Sequence, residues 1–297
     1  MTKPRILILE NSTAITGALT SIIRSSEVLR TDYTFVFLLP AKSTAIAYLR
    51  DLGFETYELP MREIRKSILS LIVYLPTLIR NSIKLLTIVP SLSIDLIVVN
   101  DFYNLLPAAY KVLGGPLPYI CYVRFLPSKF PRQLVKFWCA LHRRYASYTI
   151  AVSEIVKSQL PYERNVKVIG NELPAYEAPF SLRHDSTTIL YPANYIQGKG
   201  QEFALDAFSR VSERYPQWKL RFVGGDMGLQ KNKDFQQHLM NISTRLNLDS
   251  KVEWHGFSNK ISDEYLNAAI VLNFSESESF SLTCLEAMFY GRPVIAT

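Results

Sequence analysis

The chain has 297 residues, of which 48% are hydrophobic and 20% are charged. These proportions supply enough apolar surface for buried cores and exclude disorder of the whole chain, and the length suits two domains. The three cysteines form no CxxC pair, which indicates reduced thiols in a cytoplasmic setting. The four histidines do not cluster at metal-ligand spacing, so the sequence predicts no metal site.

The net charge of +7 is distributed unevenly. Residues 1–182 hold 21 basic and 13 acidic side chains, net +8, whereas residues 183–297 hold 12 and 13, net −1. The window between Asp101 and Glu154 contains no acidic residue and interleaves Phe125, Phe130, Phe137 and Trp138 with basic residues, namely Lys111, Arg124, Lys129, Arg132, Lys136, Arg143 and Arg144. This pattern suits an anionic membrane surface or an anionic acceptor, and a solvated helix face over ordinary core residues explains it equally well. No nucleic-acid motif accompanies it, so no nucleic-acid partner is predicted.

In the first half of the chain, short apolar β-branched runs alternate with amphipathic segments. Strands are predicted at 5–9, 34–38, 96–99, 119–123, 149–152 and 166–169, and helices at 19–28, 43–52 and 133–145. The uncharged stretch from Ser67 to Ile79 contains Pro76 and is too short to span a bilayer comfortably, so it is interpreted as a buried or interfacial helix pair. Continuous apolar strands separated by helices predict a parallel sheet that is covered on both faces.

The second half repeats this alternation after an aperiodic, proline-containing segment. Strands are predicted at 188–191, 219–223, 252–254 and 269–273, with a helix over 201–215. The fold class is therefore α/β, with two Rossmann-like, doubly wound domains that face a cleft. The predicted boundaries are 1–175 for the first domain, 176–186 for the linker and 187–297 for the second domain, which is expected to be incomplete because it ends on a strand. Ligands of such sheets bind at the carboxyl ends of the strands.

Three segments of the second half carry candidate chemistry. The loop after the strand at 188–191 ends in Lys199 between two glycines, which suits an oxyanion, although a solvated turn has the same composition. The strand ending in Trp254-His255-Gly-Phe257 is interpreted as carrying a core histidine. In Glu278-Ser-Phe-Ser-Leu-Thr-Cys-Leu-Glu286, two carboxylates lie eight positions apart at the start of an apolar helix. Helix amides attract phosphate and carboxylates accept hydroxyl hydrogen bonds, so a sugar attached to a phosphate is the expected ligand.

The order of these segments resembles the donor domain of the retaining family 4 glycosyltransferases, also described as glycosyl transferases group 1, which have the GT-B fold. Ala193-Asn194, Lys199-Gly200, Val223-Gly224-Gly225 and Val252–Phe257 stand in the family's order, and Glu278 to Met288 resembles its E-G-F-G-x-x-x-x-E-A-M motif. In the first half, Asn11–Ala18 occupies the place of the family's Gly-rich first loop, and the segments from Tyr148 and Val166 resemble its later strands. The resemblance touches nearly the whole chain.

The resemblance implies a role for each matching residue. Glu278 would contact the donor sugar, the backbone of Ser279, Phe280, Ser281 and Leu282 would meet the sugar and diphosphate, and Glu286 would bind the ribose hydroxyls. Lys199 would neutralise the leaving diphosphate, and the backbone near His255 to Phe257 would hold the base. Gly17, Asn194 and Gly224 would complete the donor-binding set. Neither a metal nor another cofactor is implied, and the substrate would be a UDP- or GDP-type sugar.

Three departures from the family pattern bear on these roles. Asn194 replaces an arginine on the diphosphate, and Ser279 and Ser281 replace both glycines of E-G-F-G. Arg124 stands where many members carry a histidine near the reacting carbon, and it is predicted to replace the missing cation or to bind an anionic acceptor.

The leading hypothesis is an enzyme that moves a sugar from a nucleotide donor to a polysaccharide or lipid-linked glycan, with retention and without a metal, with Glu278, Lys199 and Arg124 as catalytic residues. It would be cytoplasmic or peripheral on the inner face of the cell membrane. The alternative is a non-catalytic module of the same fold that binds a nucleotide or a glycan. The family's usual length leads us to expect that residues 1–297 alone are weakly active and prone to associate.

Overall fold

The computed structural model describes residues 3–61, 68–173, 186–258 and 260–297. The chain forms two compact units, Met1–Ala175 and Tyr176–Thr297. The predicted linker at 176–186 lies outside the described residues, except for Ser186.

The first unit is built from alternating strands and helices. Its strands are β1 (Arg5–Leu9), β2 (Thr34–Pro40), β3 (Glu55–Leu59), β4 (Leu96–Val99), β5 (Tyr119–Val123), β6 (Tyr148–Ala151) and β7 (Val166–Val168). Its helices are α1 (Gly17–Val28), α2 (Ala45–Asp51), α3 (Ile68–Ser91), α4 (Leu106–Val112), α5 (Arg132–Tyr145) and α6 (Glu154–Ser158), and short 3-10 turns lie at Leu29–Thr31 and Pro127–Lys129.

In the part of the chain that the structure describes, these strands form one parallel sheet in the order β3-β2-β1-β4-β5-β6-β7. Four of the five residues of β1 and six of the seven residues of β2 are buried, which explains why these strands read as continuous apolar runs rather than as alternating ones. The order reverses direction at β1 and β4, so the carboxyl ends of these two strands mark the switch point at which such sheets bind ligands.

Helix α3 corrects the interpretation of its sequence as a helix pair. It is one helix from Ile68 to Ser91, and Pro76 lies inside it. A proline removes one hydrogen bond of a helix and does not by itself end it. Asn81, Ser82, Leu85 and Val89 are buried beyond the proline, and packing of this face holds the helix together.

Helices α3, α4 and α5 form one layer, because α3 packs against α4 and α4 against α5. The connections from β3 to β4, from β4 to β5 and from β5 to β6 all run in the same direction across the sheet. Because such crossovers are right-handed, these three helices lie on one face. Helices α1 and α2 follow crossovers in the other direction and cover the opposite face, where Leu19, Ile22 and Leu49 join the core.

The second unit repeats this architecture on a smaller scale. Its strands are β8 (Thr188–Pro192), β9 (Lys219–Val223), β10 (Val252–His255), β11 (Ile270–Asn273) and β12 (Val294–Ala296). Its helices are α7 (Gln201–Ser212), α8 (Gln230–Arg245), α9 (Ile261–Asn267) and α10 (Leu282–Phe289). Within the described residues the parallel sheet has the order β10-β9-β8-β11-β12, so its switch point lies between β8 and β11.

Two apolar clusters enclose this second sheet. One contains Leu205, Phe208 and Leu239, from α7 and α8, on one face. The other contains Tyr265, Ala287 and Tyr290, from α9 and α10, on the opposite face. The loops that leave β8 and β11 at the switch point are thereby held on a rigid base.

Candidate functional site

The loop from β8 to α7 presents Lys199 between two glycines with positive φ. Gly200 is the N-cap of α7 with φ of 76°, and a Cβ added there would lie 2.0 Å from the carbonyl oxygen of Phe274. Only glycine permits this backbone approach, so it holds the loop against the chain that leaves β11. The buried Tyr191 hydroxyl reinforces the junction by donating to the Lys199 carbonyl and accepting the Phe274 amide hydrogen at 2.8 Å.

The Lys199 side chain forms an ion pair across this junction. Its Nζ lies 2.7 Å from Oε1 of Glu278, and the two side chains are 33% and 29% exposed. The structure thus brings together two of the residues predicted as catalytic, although they are 79 positions apart in sequence. A cation and a carboxylate at the switch point can bind a phosphate and a hydroxyl group, respectively.

Helix α10 starts directly beyond Glu278. The Ser281 side chain caps this helix by accepting from the Cys284 amide, and Asn273 Nδ2 donates to the same hydroxyl at 2.6 Å. The Thr283 hydroxyl donates to the Pro192 carbonyl at 3.2 Å, which fixes the first turn of α10 beside the end of β8. The remaining predicted residues of this segment, Ser279, Phe280 and Leu282, are half-buried in the turn and at the first helical position.

The second acid of the motif, Glu286, lies on the buried side of α10. It is 8% exposed, and its Oε2 accepts a hydrogen bond from the Tyr265 hydroxyl at 2.8 Å. Tyr265 stacks on Tyr290 with ring centroids 5.4 Å apart. This packing fixes the position of the Glu286 carboxylate, as a directional contact to a ligand requires.

Asn194 and Gly224 connect the loop after β8 to the loop after β9. Asn194 Oδ1 accepts the Gly225 amide hydrogen at 2.9 Å. The side chain at the position of the family's arginine therefore binds the backbone of the neighbouring loop. A Cβ on Gly224 would lie 2.0 Å from the Ala193 carbonyl oxygen. Gly224 therefore serves the close approach of the two loops.

The interpretation of His255 as a core residue is wrong. Its side chain is 47% exposed at the end of β10, and its Nε2 lies 3.8 Å from Glu253 Oε2. Its backbone carbonyl accepts a hydrogen bond from the Tyr195 hydroxyl at 3.0 Å, and Phe257 beside it is 51% exposed. His255 is the last residue of the edge strand β10, where the carboxyl end of the sheet opens to solvent. An exposed imidazole and an exposed ring here can contact a ligand.

Arg124, the third residue predicted as catalytic, is buried inside the first unit. It is 6% exposed, its Nε donates to Asn100 Oδ1 at 2.6 Å, and its Nη1 donates to Ser21 and Asn171 at 2.9 and 2.8 Å. Burial lowers the pKa of the guanidinium from its usual value. These donors bind α1, the residue after β4 and the segment after β7, and the catalytic role of Arg124 stays a prediction.

Two buried carboxyl groups accompany Arg124 and were not predicted. Glu10 receives hydrogen bonds from the Asn11 and Ser12 amides at 2.8 and 2.9 Å, and its other oxygen accepts from Asn100. Burial raises the pKa of Asp101 well above its usual value, and its Oδ1 accepts the Phe102 amide hydrogen at 2.9 Å. The sequence feature that could have indicated this cluster is that Glu10 and Asp101 follow two buried strands, which are neighbours in the sheet.

Gly17 lies at the exposed start of α1 beside this cluster. Thr16 caps the helix by accepting from the Leu19 amide at 3.2 Å, and the Thr16 and Ser12 hydroxyls are 3.1 Å apart. Gly17 is part of the first unit, and the other predicted donor-binding residues lie in the second.

No group of three or more His, Cys, Asp or Glu side chains arranged to hold a metal ion occurs among the described residues. No helix among them has the length and apolarity needed to cross a membrane.

The chain is similar to known glycosyltransferases in parts of its length. Residues 174–297 match the model of the family described as Glycosyl transferases group 1. An uncharacterized glycosyltransferase of Haemophilus influenzae is 23% identical over 218 residues, which are 72% of this chain and 60% of that protein. The lipopolysaccharide 1,6-galactosyltransferase of Salmonella typhimurium is 24% identical over 163 residues, 52% of this chain and 43% of that protein. The chain thus covers less than two thirds of the length of both relatives.

Solved structures agree on the fold. Anabaena HepE, crystallised with UDP and glucose, matches 98% of this chain and 80% of its own with a TM-score of 0.81 at 22% identity. The predicted fold of two parallel-sheet, Rossmann-like α/β domains is confirmed, because the likeness to these structures extends over both units. The family model matches the second unit only, and these neighbours share the fold of the chain.

Proposed function

We propose that this chain transfers a sugar from a nucleotide-diphosphate donor to a glycan or lipid-linked acceptor. The observation that carries the proposal is the Lys199–Glu278 pair, 2.7 Å apart, beside the capped start of α10 at the switch point of the second sheet. The pair offers one group for a phosphate and one for a sugar hydroxyl. Glu286, held in place by Tyr265, would accept hydrogen bonds from the ribose hydroxyls.

The chemistry that suits this arrangement is transfer with retention of anomeric configuration. The acceptor oxygen forms a bond to the anomeric carbon, the bond from that carbon to the β-phosphate oxygen breaks, and the acceptor proton passes to the departing phosphate. Negative charge develops on the diphosphate, and the Lys199 ammonium and the first amides of α10 would stabilise it. We propose that this charge makes a metal unnecessary. Turnover that persists in EDTA, with a product of retained configuration by NMR, is the expected result.

Calorimetry and a transfer assay test the assignment of the site. We expect UDP or GDP to bind the wild-type protein, and the UDP bound to HepE makes UDP the first choice. Lys199→Ala should weaken nucleotide affinity and transfer, because the phosphate loses a charge-assisted hydrogen bond. Glu286→Gln keeps an acceptor for Tyr265 and should weaken affinity through the ribose.

The control for Lys199→Ala is Lys231→Ala, which removes an exposed lysine of α8. Rates and affinities like those of the wild type in both site variants would remove the assigned site. A module that binds nucleotide without transfer would bind UDP or GDP and show no product. The comparisons do not favour it, since the relatives named above are glycosyltransferases.

We also propose that the α3–α5 layer of the first unit rests on an anionic membrane surface when the acceptor is lipid-linked. These three helices contain seven Lys and Arg residues and no Asp or Glu, namely Arg80, Lys84, Lys111, Arg132, Lys136, Arg143 and Arg144. Leu75, Ile79 and Ile83 recur every fourth position along α3 and are 52–55% exposed, and Phe137 of α5 is 54% exposed. Apolar side chains among basic ones suit lipid headgroups on the inner face of the cell membrane.

Sedimentation with lipid vesicles tests this surface. The protein should bind vesicles that contain anionic lipid and release them as salt rises, because surface charge is screened within about 10 Å at 0.1 M salt. Ile79→Glu combined with Ile83→Glu should abolish binding without changing nucleotide affinity. Equal binding of neutral and anionic vesicles would refute the proposal.

A further inference from the structure

A pocket lies beside the Lys199–Glu278 pair and contains a carboxylate to which no role has been given. Phe203 of α7 and Phe274 form its apolar side, and Ser275, Glu276 and Glu278 contribute its polar groups. These last residues follow β11 directly, so the pocket opens at the switch point of the sheet.

Glu276 is held in this pocket by its backbone and by the Lys199 loop. Its amide donates to the Gly198 carbonyl at 3.0 Å. Its Oε2 lies 3.5 Å from the point where a Cβ on Gly198 would stand. Gly198 has φ of 88°, so glycine permits the turn that brings the Lys199 loop into van der Waals distance of the carboxylate.

The charge of the pocket is negative. Glu278 has Lys199 as its ion-pair partner, whereas no Lys, Arg or His among the described residues forms an ion pair with Glu276. The pocket therefore has two carboxylates and one neighbouring cation, which pairs with Glu278. A diphosphate that binds Lys199 would leave both carboxylates without that cation.

Ser275 provides an independent indication that this pocket takes a polar ligand. The residue is 6% exposed, and its hydroxyl has no hydrogen-bond partner in the part of the chain that the structure describes. Buried hydroxyl groups are normally hydrogen-bonded in native proteins. A ligand with its own donors and acceptors would satisfy this one.

We propose that Glu276 makes the donor site selective for a sugar without an acidic group, and that it excludes hexuronates. The inference rests on the proposed function, because it takes the occupant to be the sugar of a nucleotide donor. Neutral hydroxyls donate hydrogen bonds to carboxylates, whereas a uronate carboxylate would add a third negative charge beside Glu276 and Glu278. Glu276 is exposed, so solvent screens part of this repulsion, and discrimination of about 10-fold is expected.

Calorimetry with matched donors tests this selectivity. UDP-glucose and UDP-glucuronate differ only at C6, and GDP-mannose and GDP-mannuronate replace them if only the guanine nucleotide binds. The wild type should bind the neutral donor about 10-fold more tightly. Glu276→Gln keeps the shape of the side chain and removes its charge. It should therefore raise the affinity for the uronate donor, so that the ratio of neutral-donor to uronate-donor affinity falls to about 2. Glu213→Gln makes the same change at an exposed position of the second unit and should keep the wild-type ratio.

The dependence on salt supplies a second measurement of the same cause. If charge repulsion sets the ratio of neutral-donor to uronate affinity, raising KCl from 50 to 500 mM should lower this ratio more in the wild type than in Glu276→Gln, which retains only the charge of Glu278. Equal affinity of the wild type for both donors, or an unchanged ratio in Glu276→Gln, would overturn the selectivity and leave the transferase proposal standing. If neither UDP nor GDP binds at all, both proposals fail.

Discussion

The Lys199–Glu278 pair gives a prediction with opposite signs for its two partners. A donor diphosphate needs the Lys199 ammonium, which Glu278 holds at 2.7 Å in the free protein. Glu278→Gln should therefore tighten the binding of UDP alone, because the phosphate no longer competes with a carboxylate for the lysine. Lys199→Met should weaken it, because the phosphate loses its cation.

The degree of exposure of the pair sets the magnitudes. At 33% and 29% exposure the pair is partly screened, and pairs of this kind contribute about 0.5–1 kcal/mol. Releasing the lysine from this pair corresponds to about 2- to 5-fold tighter UDP binding in Glu278→Gln. A hydrogen bond to a charged group contributes about 1.5–3 kcal/mol, so Lys199→Met should weaken UDP by about 10- to 150-fold.

Isothermal titration with UDP and with the full donor measures both effects. Glu278→Gln should bind UDP more tightly and yet transfer sugar more slowly, because the sugar loses a charged acceptor. Glu213→Gln is the control for loss of one negative charge from the second unit. Unchanged or weaker UDP binding in Glu278→Gln, with Lys199→Met weakened as expected, would refute the competition between carboxylate and phosphate.

Three further predictions concern stability. Gly200→Ala should lower the free energy of unfolding in denaturant by about 3 kcal/mol or more, because its Cβ would lie 2.0 Å from a backbone oxygen. The control is Gly228→Ala, with φ of 70° and no atom within 4 Å of the added Cβ, which should lower it by about 1 kcal/mol. Similar losses in the two variants would contradict the packing argument. Arg124→Ala should lower the free energy of unfolding of the first unit by about 3 kcal/mol, whereas Arg132→Ala, at an exposed position, should lower it by about 0.5 kcal/mol or less. A loss in Arg124→Ala as small as that in Arg132→Ala would refute the structural role of Arg124. Burial lowers the pKa of His142 to about 4, so the unfolded chain takes up its proton near pH 6.5 and the folded chain only near pH 4. The free energy of unfolding should therefore decrease by about 1 kcal/mol for each unit by which the pH is lowered from 6.5 to 4, and His142→Gln should remove this part of the pH dependence.

The sequence predicted the parts of the fold that depend on local pattern. Buried strands such as β1 and β4 read as short apolar runs, and their predicted bounds agree with the structure. Helix α3 was misread because a proline was taken as a boundary. Its continuity depends on tertiary packing of the buried face beyond Pro76, which no local pattern contains.

The candidate site divides in the same way. Lys199, Glu278 and Glu286 were predicted because their order along the chain resembles a known motif, although only the structure shows the first two in contact. Arg124 was assigned from its position in that resemblance, and its surroundings could not be predicted. Ser21, Asn100 and Asn171 come from three distant segments that meet only when the sheet has formed. The exposure of His255 likewise depends on β10 being an edge strand.

The same reasoning connects Arg124 to the rest of the chain. Asn171 is among the last described residues of the first unit, and its Oδ1 accepts hydrogen bonds from both Arg124 and Ser21. The guanidinium therefore ties the segment that leaves β7 to the ends of β4 and β5 and to α1. A lysine carries the same charge but lacks the planar set of donors needed to reach Asn100, Ser21 and Asn171 at once. Charge alone thus does not explain an arginine at this position, whereas the geometry of three simultaneous hydrogen bonds does.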